Sequence, residues 1–187
     1  MTQLVVFLEE PSAREMLCGL LPRLLPQTVG FRCVVFEGKQ DMEKRLPRKL
    51  RAWQTPDSRF VVLRDKNSGD CGQIKDRLLR ICRNAGRADT LVRIACHELE
   101  SWYLGDLSAV ESGLGIDGLI RHQGKAKYRN PDRLANPVQE LQKLTGNRYQ
   151  KVSGSRRIGP HLSLDSNRSH SFLVFLSGMQ RLISEAS

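Results

Sequence analysis

Three apolar runs that read as strands each end on carboxylates, and that pattern limits what this chain can fold into. Leu4-Val5-Val6-Phe7-Leu8 leads into Glu9 and Glu10, and Phe60-Val61-Val62-Leu63 leads through Arg64 into Asp65. Leu91 to Ile94 leads in the same way into Ala95-Cys96-His97-Glu98-Leu99-Glu100-Ser101-Trp102. Short continuous apolar runs suit strands buried on both faces, as in a parallel sheet. Open α/β sheets gather their ligands at the carboxyl ends of the strands, so acids placed there can converge on one divalent cation, a hard ion that prefers oxygen.

The segments between these runs read as helices. Ser12 to Leu25 carries Leu17, Leu20, Leu21 and Leu24 on one face, with Ser12 and Glu15 in capping-box spacing and Pro22 expected to kink or end the helix early. Phe31 to Phe36 reads as a further strand, followed by Met42, Leu46, Leu50 and Trp53 at helical spacing, interrupted by Pro47. Gly72 to Ala85 places Ile74, Leu78, Ile81 and Cys82 on one face, and a helix is expected from Glu98 to about Leu104. This alternation predicts an α/β fold over residues 1–105: a mainly parallel sheet of about four strands with helices on both faces. Beyond Gly105 the chain turns polar, with helices expected from Pro131 or Val138 through Leu144 and from Ser171 to Ile183. Residues 106–187 therefore read as a helical C-terminal extension packed on the same sheet, within a single domain spanning 1–187. A length of 187 residues suffices for one domain with a true core.

Thirty Lys and Arg against 20 Asp and Glu give a formal net charge of +10, which suits a polyanionic partner such as nucleic acid. Arg45, Arg48, Lys49 and Arg51 flank one predicted helix, and Arg77, Arg80, Arg83 and Arg87 line another. Lys125, Lys127, Arg129, Lys151, Arg156 and Arg157 lie in polar segments, the last three in what reads as a glycine-containing loop. Each cluster alone is an ordinary solvated face. Beside an acidic metal site they could hold a phosphate backbone, and Lys151, Arg156 and Arg157 are the expected substrate contacts.

Other motifs fail on context. Gly113-Leu114-Gly115-Ile116-Asp117-Gly118 has the letters of a dinucleotide fingerprint but follows a helix instead of the first strand. His97-Glu98-Leu99-Glu100-Ser101 lacks the second histidine of a zinc protease. His122, His161 and His170 are isolated in the sequence. Five scattered cysteines, without the spacing of a zinc site, read as reduced thiols, with Cys18, Cys33, Cys82 and Cys96 as small buried groups. With neither an export signal nor an apolar run of membrane-spanning length, the chain is expected to be cytoplasmic, with no membrane partner.

Leu8-Glu9-Glu10-Pro11-Ser12, the segment Leu63 to Cys71, and the segment Glu98 to Asp106 resemble the successive signatures of a bacterial Toprim-like family. That family, formerly of unknown function, includes AriB, the effector nuclease of the PARIS anti-phage system. Its members are often encoded beside an ABC-type or AAA ATPase. Lys151 to Leu164 and Ser171-Phe172 resemble its C-terminal pattern. The resemblance implies a Toprim-like fold and a metal-dependent endonuclease acting on DNA or RNA, tRNA included, as the toxic effector of an anti-phage system under ATPase control. It implies Glu9 as metal ligand or general acid/base, and Asp65 with Asp70 as ligands of Mg2+ or Mn2+. Toprim proteins usually carry Asp-x-Asp after this strand, whereas this chain has Asp65-Lys66-Asn67. Asn67 can still offer a carbonyl oxygen; Glu98, Glu100 or the substrate is left to complete the set.

Read from the residues alone, several acids keep a second role open. Glu10 suits a solvated turn, and Asp70 can simply cap the helix at Gly72. Glu98 and Glu100 lie two apart, so a regular helix turns at most one toward the site; Glu98 is the expected catalytic member, and either can instead complement a helix dipole. Trp102 suits a core anchor better than a base-stacking platform. The competing function is a non-catalytic Toprim-like module that binds nucleic acid or docks on an ATPase, with Asn67 marking lost chemistry. A homodimer is left open.

Overall fold

A computed structural model describes residues 2–184. Strands β1 (Thr2–Leu8), β2 (Val29–Val35), β3 (Ser58–Asp65) and β4 (Leu91–Ala95) pair in parallel as one sheet of order β2-β1-β3-β4. Strand side chains alternate between faces. Leu4, Val6 and Leu8 of β1 join Val61 and Leu63 of β3 in one apolar cluster, while Val5, Phe7, Phe60 and Val62 join another. Helices α2 (Lys39–Arg51) and α3 (Cys71–Asn84) cover the second face through Met42, Leu46, Leu50, Leu78 and Cys82. The first face is covered by α1 (Pro11–Leu24), α4 (Glu100–Leu104), α5 (Leu107–Leu114), α6 (Pro137–Leu144), α7 (Lys151–Ile158) and α8 (His170–Ser184). The polar-looking segment after Gly105 thus contributes Leu107, Val110, Tyr149, Ile158 and Phe172 to the same cluster as β1 and β3.

The strand order fixes where a site can form. From β1 the chain moves outward through α1 to β2, then returns past β1 through α2 to β3. The loops leaving β1 and β3 consequently depart to opposite faces, since α1 and α3 lie on different sides. That divergence opens a crevice at the carboxyl ends of β1 and β3, the switch point of an α/β sheet. Glu9 and Asp65 stand at its rim.

Several local expectations are corrected. Helix α1 starts at Pro11, whose missing N–H costs nothing at a first helical position, so Ser12 lies inside the helix and caps nothing. The Ser12 hydroxyl instead donates to Glu10 Oε2, and Glu15 pairs with Arg14 and Arg156. Pro22 removes one bond near the helix end but does not stop it, and the Leu25 N–H still reaches the Leu21 carbonyl at 2.9 Å. Pro47 likewise lies within a continuous α2. Lys151, Arg156 and Arg157 sit on helix α7 and not in a loop, because the glycines here serve close packing. A Cβ on Gly154 would fall 2.5 Å from the Tyr149 ring, and one on Gly159 would fall 2.4 Å from the Met16 carbonyl oxygen. Among the cysteines, Cys82 is buried, but Cys33 and Cys96 are partly exposed and Cys18 is exposed. As expected, Trp102 is a core anchor, packed on Phe172 and Phe175 with its indole N–H donating to the Ser171 hydroxyl at 2.9 Å.

Gly159→Ala tests the close approach of α1 to the segment after α7. The new methyl meets backbone, which cannot rotate away, so urea unfolding should show a loss of roughly 1–3 kcal/mol, the usual cost of overpacking. An unchanged midpoint would show that the two segments are free to separate.

Candidate functional site

The carboxyl ends of β3 and β4 are stitched together beyond their last paired residues. The Lys66 N–H donates to the Ala95 carbonyl at 2.9 Å, and the Asn67 N–H to the His97 carbonyl at 2.6 Å. Asn67 and His97 both adopt positive φ, 53° and 60°, in the left-handed region where Asn and His are less strained than most residues. These two turns swing the acid-bearing loops over the crevice. Asp70 then caps α3, its Oδ1 accepting from the Gln73 N–H at 2.9 Å.

Alternation along β3 sends Arg64 and Asp65 to opposite faces. On the α2 side, Arg64 Nε lies 3.6 Å from Glu9 Oε2, too far for a hydrogen bond, while its Nη1 donates to Glu43 Oε1 at 2.5 Å. Glu9 and Arg64 are each only 7 % exposed, and the facing atoms Glu9 Oε2 and Arg64 Nε have no hydrogen-bond partner. Burial raises the Glu9 carboxyl above the usual range, an effect Arg64 partly offsets and Glu10 reinforces; the Asp65 backbone N–H also favours its charged form.

On the other side Asp65 meets the acids delivered by the first-face helices. Burial pushes its carboxyl well above the normal range, and the nearby charges of Glu100, Glu10 and Glu9 push it further, with Lys151 opposing them. Glu100 is 1 % exposed; its Oε1 accepts from the Tyr149 hydroxyl at 2.7 Å and its Oε2 has no partner. Burial raises its carboxyl too, against the pull of Tyr149 and Lys151. Lys151, at the start of α7, donates to Glu10 Oε2 at 3.2 Å. Burial disfavours its charge, but Glu100 and Glu10 outweigh that and raise its pKa.

A small cavity of about 10 Å³, one water in size, is lined by Glu9, Glu10, Ser12 and Asp65 together with Ala13, Leu63 and Leu99. A separate groove of about 220 Å³ on the α2 side takes in Arg64, Lys66, Asn67, Asp70 and Arg77.

A family model matches residues 8–180 and is described as a domain of unknown function, DUF4276. The chain belongs to the DUF4276 family. No curated protein matches it. Among solved structures it is similar to the C-terminal region of the Burkholderia pseudomallei OLD protein, with 16 % identity, 98 % of this chain and 97 % of that chain covered, and a TM-score of 0.60. At that identity the likeness concerns the fold, a parallel α/β sheet with helices on both faces as the sequence pattern predicts.

Within this DUF4276 chain, Glu9 and Asp65 line one cavity, and Lys151 reaches the acids beside it. Asn67 and Asp70 sit in the neighbouring groove, with the Asp70 carboxylate already engaged at the helix cap. Glu98 is partly exposed at the margin, close enough to Glu100 and Lys151 to act on their charge. Arg156 is 66 % exposed at its side chain and held by Glu15, its Nε 2.6 Å from Glu15 Oε2. Arg157 lies on another side of α7, near Gly115. Sequence reading missed Arg64, Glu100 as the buried acid, and Tyr149. A lone arginine in an apolar strand was the available sign of the first; the other two depend on α4 starting at Glu100, which turns Glu100 inward beneath α7.

Among the described residues no three His, Cys, Asp or Glu side chains stand together as a ready ligand group. The donor chemistry nonetheless fits a hard divalent cation. Glu9, Asp65 and Glu100 have raised proton affinity, Glu9 Oε2 and Glu100 Oε2 are buried without partners, and Glu9 and Asp65 line one water-sized cavity. Side-chain movement is needed to close a ligand shell.

Raised carboxyls make a pH prediction. Their folded-state affinity for protons exceeds the unfolded one, so they favour the folded state below the ordinary carboxylate range, and that contribution is lost as pH rises through their raised values. Melting temperature should therefore fall as these groups ionise, and Asp65→Asn should melt higher than the parent at neutral pH, the gap closing in acid. A gap independent of pH would mean that the Asp65 charge is not the cause.

Proposed function

We propose that this chain is a metal-dependent nuclease whose centre lies at the β1/β3 crevice. The observation that supports the reading most directly is the cavity shared by Glu9, Glu10 and Asp65 at the carboxyl ends of β1 and β3, with the buried Glu100 and Lys151 near enough to act on the Asp65 charge, within a net-positive protein. Isolated acids in such a place repel one another and hold protons; a divalent cation removes both penalties. Glu9 and Asp65 would hold magnesium or manganese, with Asn67 and Asp70 on the groove side and Glu98 or Glu100 completing the set. When bound, the ion supplies charge neutralisation at a scissile phosphate and a more acidic water.

The protein's own groups carry the remaining work. Lys151 stays charged next to the acids and can take a phosphate oxygen in exchange for Glu10. Glu100, held by the Tyr149 hydroxyl, keeps one oxygen free to accept a proton at the site. Arg156, exposed along most of its length, and Arg157 extend the positive surface outward for the nucleic-acid backbone. The role of toxic effector in an anti-phage system, controlled by an ABC-type or AAA ATPase, rests on the sequence resemblance. The likeness to a C-terminal region of a longer protein supports a fold that works beside another unit.

A binding module without catalysis is the competing reading, and one contact favours it: Arg64 already offsets Glu9, as a fixed cation would in a retired site. Magnesium separates the two. In the nuclease reading, millimolar magnesium raises the melting temperature by mass action, Glu9→Ala and Asp65→Ala abolish both that rise and the cleavage of labelled DNA or RNA, and Asn67→Asp lowers the magnesium needed for half-maximal activity. Indifference of all four proteins to magnesium would leave the module. Nucleic-acid affinity should fall steeply with salt, by about 0.9 in the log-log slope per duplex phosphate contact, and less steeply in the Arg156/Arg157 double alanine variant.

A further inference from the structure

Beside the acidic centre lies a pair of thiols that the proposed chemistry does not use. Cys71 is the first residue of α3, directly after the capping Asp70, and Cys96 opens the turn between β4 and α4, directly before His97. Their sulfurs are 3.9 Å apart, which is van der Waals contact between unbonded sulfurs and within a side-chain rotation of a disulfide, whose S–S bond is about 2.05 Å. Both residues are partly exposed, and burial raises the Cys96 thiol. They line a mostly apolar surface cavity of about 310 Å³ with His170 and Val174.

The two backbones are held near each other independently of the sulfurs. The loops they belong to are joined by Lys66 N–H to Ala95 O and Asn67 N–H to His97 O, and the Cys96 N–H reaches the Ser171 hydroxyl at 3.4 Å. Main-chain hydrogen bonds that continue from the register setting Asp65 opposite Ala95 thus hold the two cysteine-bearing segments side by side.

We propose that Cys71 and Cys96 form a reversible disulfide that clamps the β3–α3 loop onto the β4–α4 loop and thereby restricts the acidic centre between them. With a peroxide as oxidant, one thiol takes the oxygen to become a sulfenic acid and releases water. The partner sulfur then attacks that sulfur, an S–S bond forms, and the sulfenic oxygen leaves as a second water. In sum, two thiols and one hydrogen peroxide give one disulfide and two waters, and a dithiol reductant returns both thiols. Closing the S–S bond pulls the first turn of α3 toward β4; Asn67 and Asp70 lie on one clamped loop, directly after Asp65 at the end of β3, and Glu98 lies on the other, just before Glu100 at the start of α4. The effect on the centre rests on the nuclease reading; the disulfide itself does not.

The test treats the reduced full chain with a small excess of hydrogen peroxide, blocks remaining thiols, and maps tryptic peptides without reductant. The expected product joins the peptide 67–75 to the peptide 94–121 with loss of two hydrogens, and dithiothreitol separates them. The oxidised protein should melt higher than the reduced one, because a cross-link restricts the unfolded chain, and neither Cys71→Ser nor Cys96→Ser should show that shift. Where cleavage is observed, peroxide should lower it at least several-fold in the parent, reversibly, and leave both serine variants unaffected. Cys71 and Cys96 recovered as separate thiols or separate sulfinic acids, or a cross-link mapping to Cys18 and Cys33 instead, would overturn the proposal. So would a mapped disulfide with unchanged magnesium response and unchanged cleavage, since the clamp would then not touch the centre. A protein inactive even when reduced would count against the nuclease reading alone, and the mapping would still decide the disulfide.

Discussion

Placing several carboxylates at the desolvated end of a parallel sheet is the constraint on which the rest of this structure turns. A buried charge needs a partner, and here the acids outnumber the nearby cations. Arg64 serves Glu9 from one face of β3, and Lys151 serves Glu10 and Glu100 from the helix that covers the other. Neither arrangement is complete: Glu9 Oε2, Arg64 Nε and Glu100 Oε2 are buried without hydrogen bonds. Structural proteins rarely keep such debts, whereas sites that receive a cation or a phosphate commonly do.

The helical extension closes one side of the crevice. It supplies Lys151 and Tyr149, and a hydroxyl chain runs from Glu100 through Tyr149 and Ser155 to Tyr103. Its packing on α1 depends on glycines at close approach and on Arg23 donating to the Pro160 and Leu162 carbonyls. The Asp132 carboxylate gathers Ser169, Ser171 and the start of α8, and Ser171 in turn receives the Trp102 indole. A polar composition after Gly105 thus conceals a framework that holds the β4–α4 turn in place.

Strand positions were legible because a buried parallel strand leaves an unmistakable apolar run, and β4 ends where its run ends. Glu9 and Asp65 stood out because Glu9 follows its run directly and Asp65 follows one residue later, after Arg64, and the family resemblance then gave them their expected roles. The helix around Lys151 was read as a loop because glycine has two uses, freedom and smallness, and only the neighbouring Tyr149 ring and Met16 backbone show which applies. The choice between Glu98 and Glu100 turned on where α4 begins, a matter of one or two residues that periodicity cannot resolve.

By itself the sequence determined the parallel sheet, the acids at its carboxyl ends and the excess of positive charge, since these follow from local pattern and composition. Only the tertiary structure decided which charges meet. Arg64 faces Glu9 and Asp65 faces Glu100 because strand alternation and the order β2-β1-β3-β4 assign them to opposite sides of one crevice. Tyr149 reaches Glu100 across 49 residues of chain, and Cys71 meets Cys96 across 25, contacts that arise from packing and from the sheet's register.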